Sequence, residues 1–300
     1  MRIGFYPGCS LTGSSREYNE SVKAIAKAFN ITFTTIPDWN CCGATAAHNL
    51  DKMLSLSLPA RIIALAEKEG LTEVVVPCAA CYNRLESTRS HLAENPTLRA
   101  QVAANLDIEY HGNVKILNVI QFIEKYITRD IHYKIQRNFF QKVACYYGCL
   151  LVRPSKVVGF DREEDPQSMD KVMKLLGAES IDWAFKTECC GAGFSISKTQ
   201  TVARLSGNIL EDAVLRGAEA VIVACPMCHS NLDMRRPEIN NALKEKTNIP
   251  VLYITQAIGL AIGIDEHTLG LHRHFVQVNT KTVNIADRAH VMVEPTSEEN

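Results

Sequence analysis

Thiols are the residues in this chain whose number and spacing could do chemistry. Ten of its eleven cysteines fall into two copies of one arrangement: a lone Cys, an adjacent Cys-Cys-Gly, and a Cys-x-x-Cys. The first copy is Cys9, Cys41, Cys42, Cys78 and Cys81; the second is Cys149, Cys189, Cys190, Cys225 and Cys228. Between the lone Cys and the pair lie 31 residues in the first copy and 39 in the second, and 35 and 34 residues then lead to the Cys-x-x-Cys. A spacing repeated so closely points to two metal sites rather than ten independent thiols.

Simpler uses of cysteine fit less well. Disulfides need an oxidising compartment and usually a small secreted domain. The start, Met1 to Cys9, carries no apolar core of a signal peptide, and no run approaches the ~20 apolar residues of a membrane span, so a cytoplasmic location with reduced thiols is expected. Structural zinc is the competing reading of a Cys-x-x-Cys, but it takes four ligands where each set offers five. Neighbours on an extended chain point to opposite sides, so Cys41 and Cys42 share a centre only on a tight turn, or if that centre holds several metal atoms. Iron–sulfur clusters take thiolate ligands, and a fifth thiol could bridge two irons or bind one asymmetrically.

The elements that must position these thiols repeat as well. A length of 300 residues suggests about two domains of ~150. Arg2 to Tyr6 and Lys142 to Tyr147 each read as a short apolar strand ending at Gly-Cys. Val22, Ile25, Ala26 and Phe29 mark an amphipathic helix, Ile31 to Ile36 alternates like a strand, and a long helical stretch interrupted by Pro59 ends at Gly70. The run from Gly70 to Cys78 matches that from Gly217 to Cys225 position for position: a helix stop, a buried strand and a metal turn. Ile116 to Gln121 and Val251 to Gln256 precede a closing helix in each half. The fold class expected is α/β, with two pseudo-symmetric repeats, each a small parallel sheet flanked by helices and bearing the cysteines on loops at strand ends. The division places one domain at residues 1–137 and a second at 138–276, with the boundary near Tyr133 to Gln141. A polar C-terminal tail covers 277–300, fraying at Pro295 to Asn300. A net charge of −1, with both signs interspersed, leaves no footprint for nucleic acid or an anionic membrane.

With these segments the chain resembles the B subunits of heterodisulfide reductases, the family named for its duplicated Cys-Cys-Gly domain, from Met1 to about Val276. The carrying segments are Tyr6-Pro7-Gly8-Cys9-Ser10, Asp38-Trp39-Asn40-Cys41-Cys42-Gly43-Ala44, Pro77-Cys78-Ala79-Ala80-Cys81-Tyr82-Asn83, Tyr147-Gly148-Cys149, Arg153-Pro154, Glu188-Cys189-Cys190-Gly191-Ala192-Gly193 and Cys225-Pro226-Met227-Cys228-His229. The resemblance implies that each five-cysteine set holds a noncubane [4Fe-4S] cluster. It further implies that the two clusters face one another across a pocket where a small-molecule or protein-bound disulfide is split, or thiols are oxidised in reverse. Electrons would enter from an iron–sulfur C subunit fed by a flavin-bearing A subunit. This chain has no ferredoxin-type four-cysteine run of its own. Where the methanogen enzymes show His-Tyr-Gly-Cys-His around the second lone Cys, the flanks here are Tyr146 and Leu150, so no histidine proton donor is expected beside Cys149.

Other residues have two readings each. His48 and His229 follow cluster motifs and could carry a proton to a departing thiolate, against hydrogen bonding around the ligands or an exposed ring. Trp39 either covers the first cluster or packs in the core, and Arg153 either balances the second cluster or a substrate anion, or forms a surface ion pair. Gly43, Gly191 and Gly193 read as backbone freedom beside the clusters, Cys145 as a buried apolar thiol, and His272-Arg273-His274 as solvated. Three function classes remain: a thiol-disulfide oxidoreductase subunit, a quinone-reactive iron–sulfur subunit of a succinate-, glycolate- or lactate-type dehydrogenase complex, and a non-catalytic electron relay.

Overall fold

The structure is a computed structural model and describes residues 2–44, 46–139, 142–243, 245–278 and 282–284. In the first half β1 (Arg2–Phe5), β2 (Thr32–Thr35), β3 (Glu73–Val75) and β4 (Lys115–Leu117) form a parallel sheet in the order β2-β1-β3-β4. Strand β5 (Arg137–Phe139) follows at the junction. In the second half β6 (Lys142–Tyr146), β7 (Glu179–Ser180), β8 (Ala220–Val223) and β9 (Val251–Tyr253) repeat the parallel arrangement as β7-β6-β8-β9. This is the duplicated α/β architecture expected from the sequence.

Parallel neighbours require crossovers, and helices supply them. The helix Arg16–Ala28 buries Tyr18, Val22, Ile25 and Ala26 along one stripe against the sheet. The helices Lys52–Lys68 and Thr199–Leu215 lead into β3 and β8, and the second of those strands is buried at every position. Both helices stop in the same way. Gly70 and Gly217 adopt φ of +67° and +82°, where a side chain would be strained. The next amides, Leu71 and Ala218, bond back to Ala66 and Ala213, completing the cap that turns the chain into the strand.

Two expectations need correction. Pro59 does not interrupt its helix, which runs unbroken from Lys52 to Lys68 with the proline buried. Ile116 to Gln121 and Val251 to Gln256 do not wholly precede the closing helices: Val119–Tyr126 and Ile254–Ala261 have already begun by Gln121 and Gln256, and each glutamine oxygen accepts the N–H of the cap residue, Asn118 or Tyr253. Within the polar tail, which was expected without an element of its own, β10 (Thr282–Asn284) pairs antiparallel with β5. Three-residue strands paired across so long a stretch of chain leave almost no periodic signal, which is why the ribbon was invisible in the sequence. Pro295 to Asn300 lie outside the described residues.

The halves pack reciprocally. The helix Arg16–Ala28 of the first lies on Ile254–Ala261 of the second, and Ser168–Leu175 of the second lies on Val119–Tyr126 of the first. At the centre the Tyr18 and Tyr253 rings stack at 4.0 Å and 5°, and Ser21 and Thr255 share a hydroxyl hydrogen bond of 2.7 Å. Tyr18 is fully buried, and its hydroxyl donates to the Ala224 carbonyl at 3.0 Å and lies 3.4 Å from the Pro77 carbonyl. Tyr18→Phe keeps the stack but strands buried acceptors from both halves, a loss of about 1–3 kcal/mol. The expected outcome is a thermal midpoint several degrees below wild type with unchanged secondary structure; an unchanged midpoint would show that the hydroxyl contributes nothing to joining the halves.

Candidate functional site

Every cysteine of the two sets lies just beyond the C-terminal end of a strand, where parallel α/β sheets expose their ligand-binding loops. Cys9 follows β1 in the short helix Gly8–Thr12, Cys41 and Cys42 follow β2, and Cys78 and Cys81 open the helix Ala79–Glu94 after β3. In the second half Cys149 follows β6, Cys189 and Cys190 follow β7, and Cys225 and Cys228 flank the start and middle of the short helix Pro226–His229 after β8. The same two devices set the turns in both halves. Tyr6 and Tyr146, each three positions before the lone Cys, donate their hydroxyls to the carbonyl preceding the cysteine pair, Asn40 at 2.8 Å and Glu188 at 2.6 Å. Gly8 and Gly148 hold φ of +60° and +68°, and a Cβ there would come within 3.2 Å of Cys81 Sγ or 3.0 Å of Cys228 Sγ.

The thiols sort into an inner and an outer group. Cys42, Cys78, Cys81, Cys190, Cys225 and Cys228 are buried, Cys149 is half-buried, and Cys9, Cys41 and Cys189 are exposed. Inside each set the pair reaches the Cys-x-x-Cys: Cys42 Sγ lies 3.2 Å from Cys81 Sγ, and Cys190 Sγ 3.7 Å from Cys228 Sγ. Between the sets, the Tyr18 hydroxyl reaches the carbonyls just before Cys78 and Cys225, and the two thiols perturb each other, Cys78 raised and Cys225 lowered. Packing across the halves brings this about. The helix Gly8–Thr12 rests on Pro226–His229, and Ala79–Glu94 rests on the helix Ser155–Val158 beyond Cys149. Asn83 donates to the carbonyls of Leu150 and Arg153 at 3.1 and 2.7 Å, and Tyr82 to that of Val158 at 3.2 Å.

Thiols this close share protons. Hydrogen bonds from Cys41 and Cys81 draw Cys42 down to about 4, and one from Cys149 draws Cys189 down to about 6. Bonds from Cys228 and Cys78 likewise lower Cys225, while Cys41, Cys78, Cys81, Cys149 and Cys228 are pushed up as the partners that keep the proton. Ten soft donors in two sets, with glycine leaving room at Cys81 and Cys228, suit iron–sulfur clusters.

The remaining candidates separate. His48 is exposed on the helix Ala47–Leu50. His229 is buried and neutral, pushed down to about 3 by desolvation, with its ring stacked on Tyr253 at 4.3 Å and Nε2 3.2 Å from the Val251 carbonyl. Trp39 meets Tyr6 edge-on at 5.6 Å. Arg153 pairs with Glu164 at 3.0 Å and donates to Thr187 Oγ1 at 3.1 Å, tying the Cys149 loop to the approach to Cys189. Cys145 is fully buried inside β6, its thiol raised by burial and accepting from Ser180 at 3.5 Å. Gly43 and Gly191 hold φ of +76° and +82°, but Gly193 has an ordinary φ and open space around it, contrary to expectation. His272 and Arg273 are exposed as expected, whereas His274 turns inward to Gln256. His229, Asp233 and His274 offer ligand atoms within 4.8 Å of one another, yet Gln256 donates to His274 Nε2 and both Asp233 oxygens accept backbone N–H groups of Phe275 and Val276. Sequence reading passed over Tyr6 and Tyr146, which the shared Tyr-x-Gly-Cys spacing could have revealed, and Tyr18, which carries no motif.

The chain has recognisable relatives. The family model described as the CCG cysteine-rich domain matches residues 3–86 and 143–233. The chain is 29% identical over 278 residues to the 8-methylmenaquinol:fumarate reductase membrane anchor subunit of Wolinella succinogenes, covering 91% of this chain and 96% of that protein. It is 28% identical to the B subunit of the ferredoxin:CoB-CoM heterodisulfide reductase of Methanosarcina mazei, covering 92% and 94%, and 27% identical to a ferredoxin/F(420)H(2)-dependent counterpart of Methanosarcina acetivorans with the same shares. Among solved structures, a hypothetical protein from Helicobacter pylori has the same fold, with TM-score 0.75 and 13% identity over 92% of this chain and 52% of that one.

Two sets of variants test the geometry. Gly8→Ala and Gly148→Ala should each lower bound metal by about one site, because the new methyl meets an inner sulfur, while Gly193→Ala should bind as wild type; equal metal in all three would show that the inner thiols have room to spare. Cys145→Ala should retain all metal, whereas Cys42→Ala or Cys190→Ala should lose or convert one site, measured as metal per chain after anaerobic purification. Metal loss in Cys145→Ala would mean that the second set is drawn with the wrong members.

Proposed function

This chain belongs to the CCG cysteine-rich domain family, and on that premise we propose that it is the catalytic iron–sulfur subunit of a heterodisulfide reductase-type complex, reducing a disulfide or oxidising thiols in reverse. Cys9, Cys41, Cys42, Cys78 and Cys81 hold one noncubane [4Fe-4S] cluster, and Cys149, Cys189, Cys190, Cys225 and Cys228 the other. When bound, such clusters supply one-electron storage and iron with an affinity for sulfur. The observation that carries the reading is the Tyr18 hydroxyl between the Pro77 and Ala224 carbonyls, at 3.4 and 3.0 Å, which holds the two Cys-x-x-Cys turns beside each other as a substrate with two sulfurs requires.

The chain's own residues do the rest. Burial of the six inner thiols keeps water from the side where the halves meet, and the outer thiols Cys9, Cys41 and Cys189 face the surface, from which substrate arrives. Tyr18 fixes the separation of the two Cys-x-x-Cys turns, so that both sites can engage one molecule without rearrangement. Electrons come from partner subunits of the complex, an iron–sulfur subunit fed by a flavin-bearing one. The likeness to the Wolinella subunit favours a second reading, in which the same clusters exchange electrons with a quinol. Among the described residues no helix is long and apolar enough to cross a membrane, so in that reading quinol is met at the surface or through a partner.

Anaerobically purified protein should hold about eight irons with matching sulfide; two zincs and no iron would sink the cluster assignment. With a reduced dye as electron donor, disulfide turnover should be lost almost as fully in Cys81→Ala or Cys228→Ala as in the double variant, because residues that act as a unit are non-additive. A single variant that keeps its other cluster and much of its turnover would show that one site is only a relay. Reoxidation of the reduced clusters by a menaquinone analogue, with no response to any disulfide or thiol, would favour the quinol reading.

A further inference from the structure

The segments that carry the two Cys-x-x-Cys motifs differ just beyond the second cysteine. In the first half Cys81 lies in a regular helix that continues to Glu94. In the second half the short helix Pro226–His229 gives way to a π turn over Ser230–Met234 before the helix Arg236–Ala242 begins. Single π turns inside helices are frequent at functional sites, because they rotate one side chain out of the regular register. The position three beyond the last cysteine is Arg84 in the first half and Asn231 in the second.

Asn231 is 1% exposed. Its amide nitrogen donates to the Cys190 carbonyl at 3.1 Å and to Cys190 Sγ at 3.5 Å, and its oxygen accepts from Ser195 Oγ at 2.9 Å, which fixes the amide with its N–H groups toward the cysteine. Backbone donors to sulfur are matched between the halves: Gly43 N–H points to Cys41 Sγ at 3.5 Å and Gly191 N–H to Cys189 Sγ at 3.3 Å. Arg84 makes no hydrogen bond to a thiol among the described residues and acts on Cys42 only through its charge from a half-buried position. Among the described residues, a side-chain amide on a thiol of the set is therefore a feature of the second set without an equivalent in the first.

We infer that Asn231 makes the two clusters electronically inequivalent, its N–H stabilising the negative charge that the second cluster gains when it takes up an electron. Hydrogen bonds to cluster sulfurs raise reduction potential for this reason. The residue touches a ligand rather than a substrate, so its role is to position and tune. The inference rests on the two-cluster reading above, and iron content separates the failure of one from the failure of the other.

The test is a potentiometric titration of anaerobic protein followed by electron paramagnetic resonance, on wild type, Asn231→Leu, Asn231→Asp and Ser206→Ala. The Leu variant fills nearly the same volume, and the Cys190 carbonyl it releases still accepts from Ser206 at 3.2 Å. Ser206→Ala disturbs that carbonyl without touching the sulfur contact. With about eight irons retained, wild type should show two separate reductions. Asn231→Leu should move one of them to lower potential and leave the other, Asn231→Asp should move the same one further, and Ser206→Ala should move neither. Two unmoved reductions, or an equal shift of both, overturn the inference. If Asn231→Leu loses the second cluster, wild type labelled with 15N-asparagine decides: a nitrogen coupling on one reduced cluster supports the assignment and its absence refutes it. Wild type without iron would overturn the cluster reading itself.

Discussion

The structure depends on holding two cysteine-bearing turns against each other in a dry interior. Each turn presents a buried sulfur, Cys78 or Cys225, and just before it a carbonyl, Pro77 or Ala224, that no strand partner reaches across the halves. Buried carbonyls and thiols of this kind cost free energy unless they find donors. One phenol, Tyr18, serves both carbonyls, and its ring is clamped by Tyr253. Reciprocal packing of the helices Arg16–Ala28 and Ile254–Ala261 places Tyr18 at the centre, and the two Cys-x-x-Cys turns adjoin as a result.

Duplication accounts for most of what surrounds that contact. Strand order, parallel pairing, the tyrosine that holds the Cys-Cys turn and the glycine that makes room for an inner sulfur recur in both halves. The departures from symmetry are local. Trp39 precedes Cys41 by two positions and Trp183 precedes Cys189 by six, and the added residues form the 3-10 turn Ala184–Thr187. Within that turn Lys186 is buried beside Asp165 and Asp170, at 2.9 and 3.5 Å, and its carbonyl accepts from Tyr147 and Gly148 at 2.8 and 3.1 Å. A buried ion pair adds little net stability, but here it fixes the loop to Cys189 against the end of β6. The corresponding region of the first half is closed instead by an exposed pair of Arg61 with Asp38.

A chain with two nearly equal sites can use them together on one substrate or in series. The adjoining Cys-x-x-Cys turns, joined through Tyr18, suit joint use, while the differences at Arg84 and Asn231 suit an electron that prefers one site. These are compatible: an electron entering singly must rest somewhere before the second arrives, and unequal sites define where. The same property would serve exchange with a quinol, which also passes two electrons, so the relatives named for either reaction are intelligible as users of one scaffold.

The cysteine spacing by itself drew attention to both five-thiol groups, because residue identity and order along the chain are local properties, and folding sets each group beyond the strand ends of its own half. Repeated strand-turn patterns, Gly70 to Cys78 and Gly217 to Cys225 above all, gave away a duplicated parallel α/β fold, since buried strands and glycine helix stops leave marks over short stretches of chain. The β5–β10 ribbon, the inward turn of His274 and the unbroken helix through Pro59 were settled only by contacts between distant residues, which override local preference. The same holds for the site. Tyr18 looks like one core residue on an amphipathic stripe, and Asn231 like an unremarkable polar residue after a motif. Their roles come from a carbonyl 206 positions away in one case and a sulfur 41 positions away in the other, proximities created by tertiary packing alone.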